Sequence, residues 1–150
     1  MPRVDRSAHV SWEGNLARGE GRISAPSGVF SDAPYSAATR IASRPETTSP
    51  EELLAGAHAA CFAMSLAGEL TRAGTPPERL DVSANVTLDE VEGKGHLIVL
   101  SDIRARARVP EADEASFAKA VEDADAGCTF SALIRASAEV HVDAALEGGN

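Results

Sequence analysis

The two cysteines, Cys61 and Cys128, carry the side chains best suited to nucleophilic or redox chemistry. A thiol of ordinary pKa is only a few per cent thiolate at neutral pH, so its reactivity requires a nearby cation or hydrogen-bond donor. Arg40 lies in a mostly apolar segment upstream of Cys61 and is a candidate for that cation. Cys128 follows Gly127, where a predicted helix ends, so we expect the chain to expose it there. The pair therefore predicts thiol chemistry.

Other interpretations of these residues stay open. Cys61 could be an inert core residue, because free cysteine is often buried and apolar burial raises the pKa of a thiol. Structural zinc is disfavoured, because the two cysteines are far apart and the four histidines are scattered. His58, three residues before Cys61, could form a Cys–His dyad, but nothing marks an oxyanion hole or orienting group. For His58 we favour a buried or interfacial histidine that bonds a carbonyl.

A long helix must position Cys61. The sequence predicts it from Ser49 to Gly74, with Ser49 as N-cap and Pro50 at the first helical position. Glu52, three residues after Ser49, completes a predicted capping box. Apolar residues cover most of the circumference, so the helix is expected to be largely buried. A homodimer in which this helix packs against the same helix of a second copy would bury its remaining apolar surface.

Glu51 has no capping role, so its carboxylate is available for another function. It lies ten residues before Cys61, which is roughly 15 Å of rise along a straight helix. The two side chains therefore cannot touch on one unbroken helix. Three alternatives remain: the helix breaks near Gly56, Glu51 serves another purpose, or it acts across a subunit interface. A first-turn glutamate favoured by the helix dipole is the simplest interpretation.

The remaining pattern predicts an α+β chain with mainly antiparallel pairing. The predicted order is strands, helix, hairpin, helix and strand, with a firm break at 75–77, and residues 1–150 are expected to form one domain. The predicted strands cover 9–15, 20–26, 35–43, 80–91, 96–109 and 137–146, and two further helices cover 111–126 and 129–135, with a tail at 147–150.

Charge and composition limit the partners and the compartment. The net charge of −9 disfavours nucleic acid and anionic membranes as partners. The N-terminal segment lacks the apolar region of a signal peptide, and no apolar run of about 20 residues is expected to span a membrane. We therefore expect a soluble cytoplasmic protein that has no membrane partner. In that compartment, paired cysteines are more often redox-active or metal-bound than joined in a structural disulfide.

Several motifs resemble those of the OsmC/Ohr family, the osmotically inducible and organic hydroperoxide resistance proteins. SPEELLAGAHAACFAMSLAGEL is similar to the family signature NPEELxxAAHAACFxMAL, and the resemblance continues in HVSWEGNLARGEGRIS and SGVF…PYSAATR. DAGCTFSAL resembles the segment around the family's second cysteine, except that Thr129 stands where proline is common. The WEG and PYxxxTR features are closer to the OsmC branch. The resemblance implies an OsmC-like fold, in which antiparallel sheets wrap two central helices in an intertwined homodimer.

The same resemblance implies an activity and a set of site residues. The family's members are thiol-dependent peroxidases that prefer organic hydroperoxides and need no metal, haem or other cofactor. By resemblance, Cys61 is the peroxidatic cysteine and Cys128 the resolving cysteine, and the two form a disulfide during turnover. Arg40 and Glu51 would activate the thiolate and orient the peroxide. The reductant would be an external thiol or dithiol, such as a lipoyl group.

Two alternatives remain on the same fold. One is a thiol redox sensor or small-molecule-binding stress protein without peroxidase turnover. The other is a structural stress protein whose cysteines are merely buried.

Overall fold

A computed structural model describes residues 2–44 and 46–148 of the chain. Contacts between residues divide the chain into two compact units, Met1–Leu53 and Leu54–Asn150, and each is described by itself. The end of the predicted tail, 149–150, lies outside the described residues.

The first unit contains a small antiparallel sheet and a short helix. Its strands are β1 (His9–Glu13), β2 (Glu20–Ser24) and β3 (Ala33–Tyr35), in the order β1-β2-β3. The strand predicted over 35–43 is wrong beyond Tyr35, because α1 (Ala37–Arg40) follows. Ser36 and Thr39 form a capping box: the Thr39 amide donates to Ser36 Oγ (3.1 Å) and the Ser36 amide to Thr39 Oγ1 (3.0 Å). These local bonds favour a helical turn over an extended chain.

Helix α2 (Pro50–Arg72) confirms the predicted helix and is continuous through Gly56. The Glu52 amide donates to Ser49 Oγ (3.1 Å), as the predicted N-cap requires. The burial of its other faces against a second copy stays a prediction, because within one chain α2 buries a single stripe of residues four apart. This stripe consists of His58, Phe62, Leu66 and Leu70.

The rest of the α2 surface is much more open. Met64, for example, is 77% exposed. Contrary to expectation, α2 also has the length and composition of a membrane span, although core helices of soluble proteins share that property.

The second unit is built on a longer sheet. Strands β4 (Arg79–Val91), β5 (Gly95–Arg108) and β6 (Glu139–Leu146) lie in the order β4-β5-β6. The β4–β5 hairpin is antiparallel as predicted, whereas β5 and β6 pair in parallel, an exception within the mainly antiparallel pairing that the sequence predicts. The chain returns to β6 through α3 (Glu114–Gly127) and α4 (Thr129–Arg135), and parallel pairing requires such a long crossover.

One face of this longer sheet carries the core of the second unit. Ile103, Ala105 and Ala107 alternate inward along β5, as period-two patterning predicts. The buried residues of α2 and α3 belong to the same cluster as these β5 side chains: Phe62, Leu66, Leu70, Phe117, Ala120 and Ala124. Cys128 is also a member of the cluster, and Cys61 packs against its edge. The core thus brings both cysteines into one apolar region.

Candidate functional site

The thiol of Cys61 lies in the second unit, on the same helix as the buried stripe. It is half-buried, and its Sγ atom is 3.4 Å from Oγ1 of Thr129, the first residue of α4. A sulfur atom at this distance is within hydrogen-bonding range of a hydroxyl. The structure therefore places a polar group against the predicted nucleophile.

The pKa of Cys61 is below its ordinary value as the result of opposing effects. Burial raises the pKa of this thiol, as expected for a group at the edge of an apolar core. Hydrogen bonding by the Thr129 side chain and by the backbone of Phe130 and Thr129, together with the nearby Cys128 side chain, outweighs burial and lowers the pKa. The local surroundings thus favour the thiolate.

Cys128 is 1% exposed, so the expectation that the chain exposes it at a helix end is wrong. It is at once the C-cap of α3 and the N-cap of α4, and the Ser131 amide donates to its Sγ atom (3.4 Å). The two helices meet at this residue and turn its side chain into the core. Cys61 and Cys128 are both free thiols.

His58 is fully buried and links three elements of the second unit. Its Nδ1 atom is hydrogen-bonded to Ser101 Oγ (2.7 Å) on β5, and its Nε2 atom to Ser131 Oγ (2.9 Å) on α4. The predicted burial is confirmed, but the predicted carbonyl partner is wrong. Because hydroxyl groups occupy both ring nitrogens, the structure gives no support to a Cys–His dyad.

The environment of His58 disfavours its protonation. Burial lowers the pKa of His58; nearby Asp125 opposes this effect and Arg135 adds to it. A neutral imidazole can donate from one nitrogen and accept at the other, which suits two hydroxyl partners. No sequence pattern marked Ser101, Ser131 or Thr129 as hydrogen-bond partners of the site. Only the position of Thr129 next to a candidate cysteine could have drawn attention to it.

Arg40 and Glu51 form an ion pair within the first unit. Arg40 Nε lies 3.0 Å from both carboxylate oxygens of Glu51, and Arg40 Nη2 makes a further close contact to Oε1. Hydrogen bonding to Arg40 is the main cause that holds the pKa of Glu51 below its usual value. The same bond raises the pKa of Arg40. The guanidinium is therefore held in a fixed orientation while its side chain stays 41% exposed.

The continuity of α2 settles one alternative for Glu51. The helix does not break near Gly56, so that explanation is wrong. Ten residues of continuous helix separate the Cα atoms of Glu51 and Cys61 by roughly 15 Å. The other two alternatives, a different role or action across a subunit interface, stay predictions.

A small apolar cleft of about 130 Å³ lies in the first unit. The residues that line it come from β1, β2, β3, the segment just before α2 and the first turn of α2: Val10, Ile23, Tyr35, Thr48, Ser49, Pro50 and Leu53. Such a surface suits an apolar group. Within residues 2–44 and 46–148, no three histidine, cysteine or acidic side chains lie close enough together to hold a metal ion.

The chain is similar to known proteins in both sequence and fold. Residues 43–143 match the family model of OsmC-like protein. Peroxiredoxin OsmC of Escherichia coli (strain K12) is 37% identical over 133 residues, which cover 89% of this chain and 92% of that protein.

Solved structures extend the similarity of fold over almost the whole chain. An organic hydroperoxide resistance protein of Elizabethkingia anophelis has a TM-score of 0.73 at 18% identity, covering 97% of this chain and 100% of that one. The organic hydroperoxide resistance protein OhrB of Bacillus subtilis has a TM-score of 0.67 at 22% identity, with 93% and 98% covered.

Proposed function

The chain belongs to the OsmC-like protein family, and on that premise we propose that it is a thiol-dependent peroxidase that reduces organic hydroperoxides to alcohols. The observation that carries the proposal is the Cys61 thiol, half-buried at the edge of the core and surrounded by groups that lower its pKa. A half-buried thiolate beside a second free thiol is suited to two-electron redox chemistry. The proposed role is defence against oxidative stress.

In the first step the Cys61 thiolate attacks one oxygen of the hydroperoxide. An S–O bond forms as the O–O bond breaks, and sulfur is oxidised by two electrons to a sulfenic acid. The departing alkoxide takes up a proton and leaves as an alcohol. The hydrogen bonds at Cys61 increase the fraction of thiolate that is available for this attack.

In the second step Cys128 condenses with the sulfenic acid. Its sulfur attacks the Cys61 sulfur, a disulfide forms, and the hydroxyl leaves as water. Because both cysteines pack in one cluster of the second unit, the step requires no long-range movement of the chain. An external thiol or dithiol, such as a lipoyl group, then reduces the disulfide. No metal, haem or other cofactor takes part in this scheme.

Arg40 is proposed to bind the peroxide and favour the thiolate, with Glu51 fixing the guanidinium. A planar guanidinium held by a carboxylate presents its remaining N–H groups in a fixed direction. Since Glu51 and Cys61 cannot touch along one continuous helix, the proposal includes a homodimer in which a second copy completes the site. The openly exposed apolar surface of α2, including Met64, supports a partner of that kind.

The apolar core beside Cys61 supports organic hydroperoxides over hydrogen peroxide. An alkyl group that packs there gains about 25 cal/mol for each Å² of apolar surface removed from water, and hydrogen peroxide has no such group. The proposal also takes residues 1–150 as one OsmC-like domain in the cytoplasm, without nucleic-acid or membrane partners, in keeping with the negative charge.

The test is peroxide consumption by reduced protein supplied with a dithiol. We expect tert-butyl hydroperoxide to be consumed faster than hydrogen peroxide, and Cys61→Ser to lower the rate on the order of 10³-fold or more, because a hydroxyl is scarcely ionised at neutral pH. Cys128→Ser should still release alcohol in a single turnover but form no intramolecular disulfide. Equal, slow consumption by wild type and Cys61→Ser would refute the enzyme. Disulfide formation without rapid turnover would indicate a redox sensor instead.

A further inference from the structure

The contact between Thr129 and Cys61 is a feature that the proposed mechanism does not yet use. The Thr129 Oγ1 atom lies 3.4 Å from the sulfur that would react. A thiolate carries no proton, so in the ionised state the hydroxyl must be the donor and the sulfur the acceptor. The geometry therefore gives this threonine a direct contact with the reacting atom.

Two further hydrogen bonds hold α4 in the position that creates the contact. Ser131, two residues after Thr129, is buried and bonds the Nε2 atom of His58 on α2 (2.9 Å). His58 lies one helical turn before Cys61 on the same helix. The Ser131 amide also donates to the sulfur of Cys128, which caps α4 (3.4 Å). The first turn of α4 is thus fixed to α2 beside Cys61.

No packing role explains why residue 129 is a threonine. It is exposed, it is absent from the core cluster, and its side-chain oxygen bonds no group other than the Cys61 sulfur among the hydrogen bonds of the described residues. An exposed residue at the first position of a short helix can be any of several types. The contact between the Thr129 hydroxyl and the Cys61 sulfur is therefore the feature of this side chain to test.

We propose that Thr129 is a catalytic residue of this chain, whose hydroxyl donates a hydrogen bond to the Cys61 thiolate and holds it ready for attack. The lowered pKa of Cys61, to which the Thr129 side chain contributes, is consistent with this role. The catalytic part of the inference rests on the proposed peroxidase function. The hydrogen bond itself does not, because it affects any reaction of the thiolate.

The test measures alkylation of Cys61 by iodoacetamide as a function of pH, followed on the Cys61 peptide by mass spectrometry. Thr129→Val removes the hydroxyl and keeps the shape, whereas Thr129→Ser keeps the hydroxyl. Below the pKa of the thiol we expect Thr129→Val to react roughly three- to tenfold more slowly than wild type, the range for losing one hydrogen bond of ordinary net strength. Thr129→Ser should stay within about twofold of wild type.

At alkaline pH, where the thiol is fully ionised, the Thr129→Val rate should reach or exceed that of wild type, because a thiolate with fewer donors is more basic and more nucleophilic. Structural damage would instead slow the reaction at every pH. Thr71→Val is the matched control: Thr71 is an exposed threonine on α2 whose hydroxyl donates to the Ala67 carbonyl (2.7 Å), and its profile should equal wild type. Thr129→Ala replaces the valine variant if the latter does not fold.

Identical pH profiles for wild type and Thr129→Val, or an equal loss in Thr129→Ser, would overturn the proposal. A loss that persists at alkaline pH would also overturn it. Peroxide consumption is measured on the same proteins, and Thr129→Val should be slower than wild type by a similar factor at neutral pH. If alkylation responds to the hydroxyl but no protein consumes organic hydroperoxide, the hydrogen bond stands and the peroxidase function fails.

Discussion

The ion pair of the first unit and the thiol centre of the second are built in opposite ways. Arg40 and Glu51 are charged, and Arg40 comes from a helix of only four residues whose side chains are not buried. Cys61 sits on a long helix against the core, and its partners are neutral hydroxyl, thiol and backbone groups. One centre relies on charge and local bonds, and the other on packing.

The difference follows from what each group needs to stay ionised. A guanidinium remains charged at any exposure, so the ion pair requires orientation rather than burial. A thiol is mostly neutral at pH 7, and burial alone would make it more so. The thiol centre therefore needs donors fixed by a packed core, which α4 provides through Thr129 and the backbone beside it.

Arg40→Lys should have the largest effect among the variants that separate the two centres. Lysine keeps the charge but loses the two-oxygen contact to Glu51, so kcat/KM for tert-butyl hydroperoxide should fall about 10- to 100-fold. The melting temperature should change little because the pair is partly exposed. Arg79→Lys is the control, since Arg79 pairs with Asp81 on the surface of β4. Equal losses in both variants would contradict a specific role for Arg40.

His58→Gln should act on stability, because His58 is fully buried with both nitrogens bonded. We expect the free energy of unfolding to fall by about 2 kcal/mol, measured by urea denaturation, as a buried network loses partners and shape. An exposed histidine supplies the control: His96→Gln should leave the free energy of unfolding nearly unchanged.

The same variant also tests the pKa of His58. Because that pKa is lowered in the folded state, the unfolded chain binds the proton first and stability falls as pH drops below the ordinary value of 6.5. Above that value the two states differ little in protonation at this site. Wild type should therefore lose more stability than His58→Gln when the pH is lowered through this window. Parallel stability curves for the two proteins would show that His58 does not titrate there.

Ser36→Ala should have the smallest effect. It removes the N-cap of α1, worth about 1 kcal/mol of local helix stability, and so leaves Arg40 in place for less of the time. We expect a two- to fivefold lower kcat/KM, on the basis of that local free energy. Ser36→Asp should restore the rate, since aspartate is also a good N-cap. A loss as large as that of Arg40→Lys would mean that α1 does more than orient the arginine.

Local signals in the sequence predicted much of the architecture. The N-cap predicted at Ser49 and the strands predicted over 80–91 and 96–109 correspond to α2, β4 and β5. The strand predicted over 35–43 failed because Ser36 and Thr39 can bond their own backbone, a short-range alternative that strand propensity does not register. The parallel pairing of β6 was missed because strand direction depends on the crossover and not on the strand residues.

The sequence by itself determined which residues could do chemistry. The amino-acid sequence itself sets the types and order of Arg40, Glu51, Cys61 and Cys128. The Arg40–Glu51 ion pair also forms between residues that are close in the chain. Only the tertiary structure decided that Cys128 is buried, that His58 bonds two serines, and that Thr129 contacts the Cys61 sulfur. Those partners lie many residues apart, and close packing of a core, which no local pattern encodes, selects which of them meet.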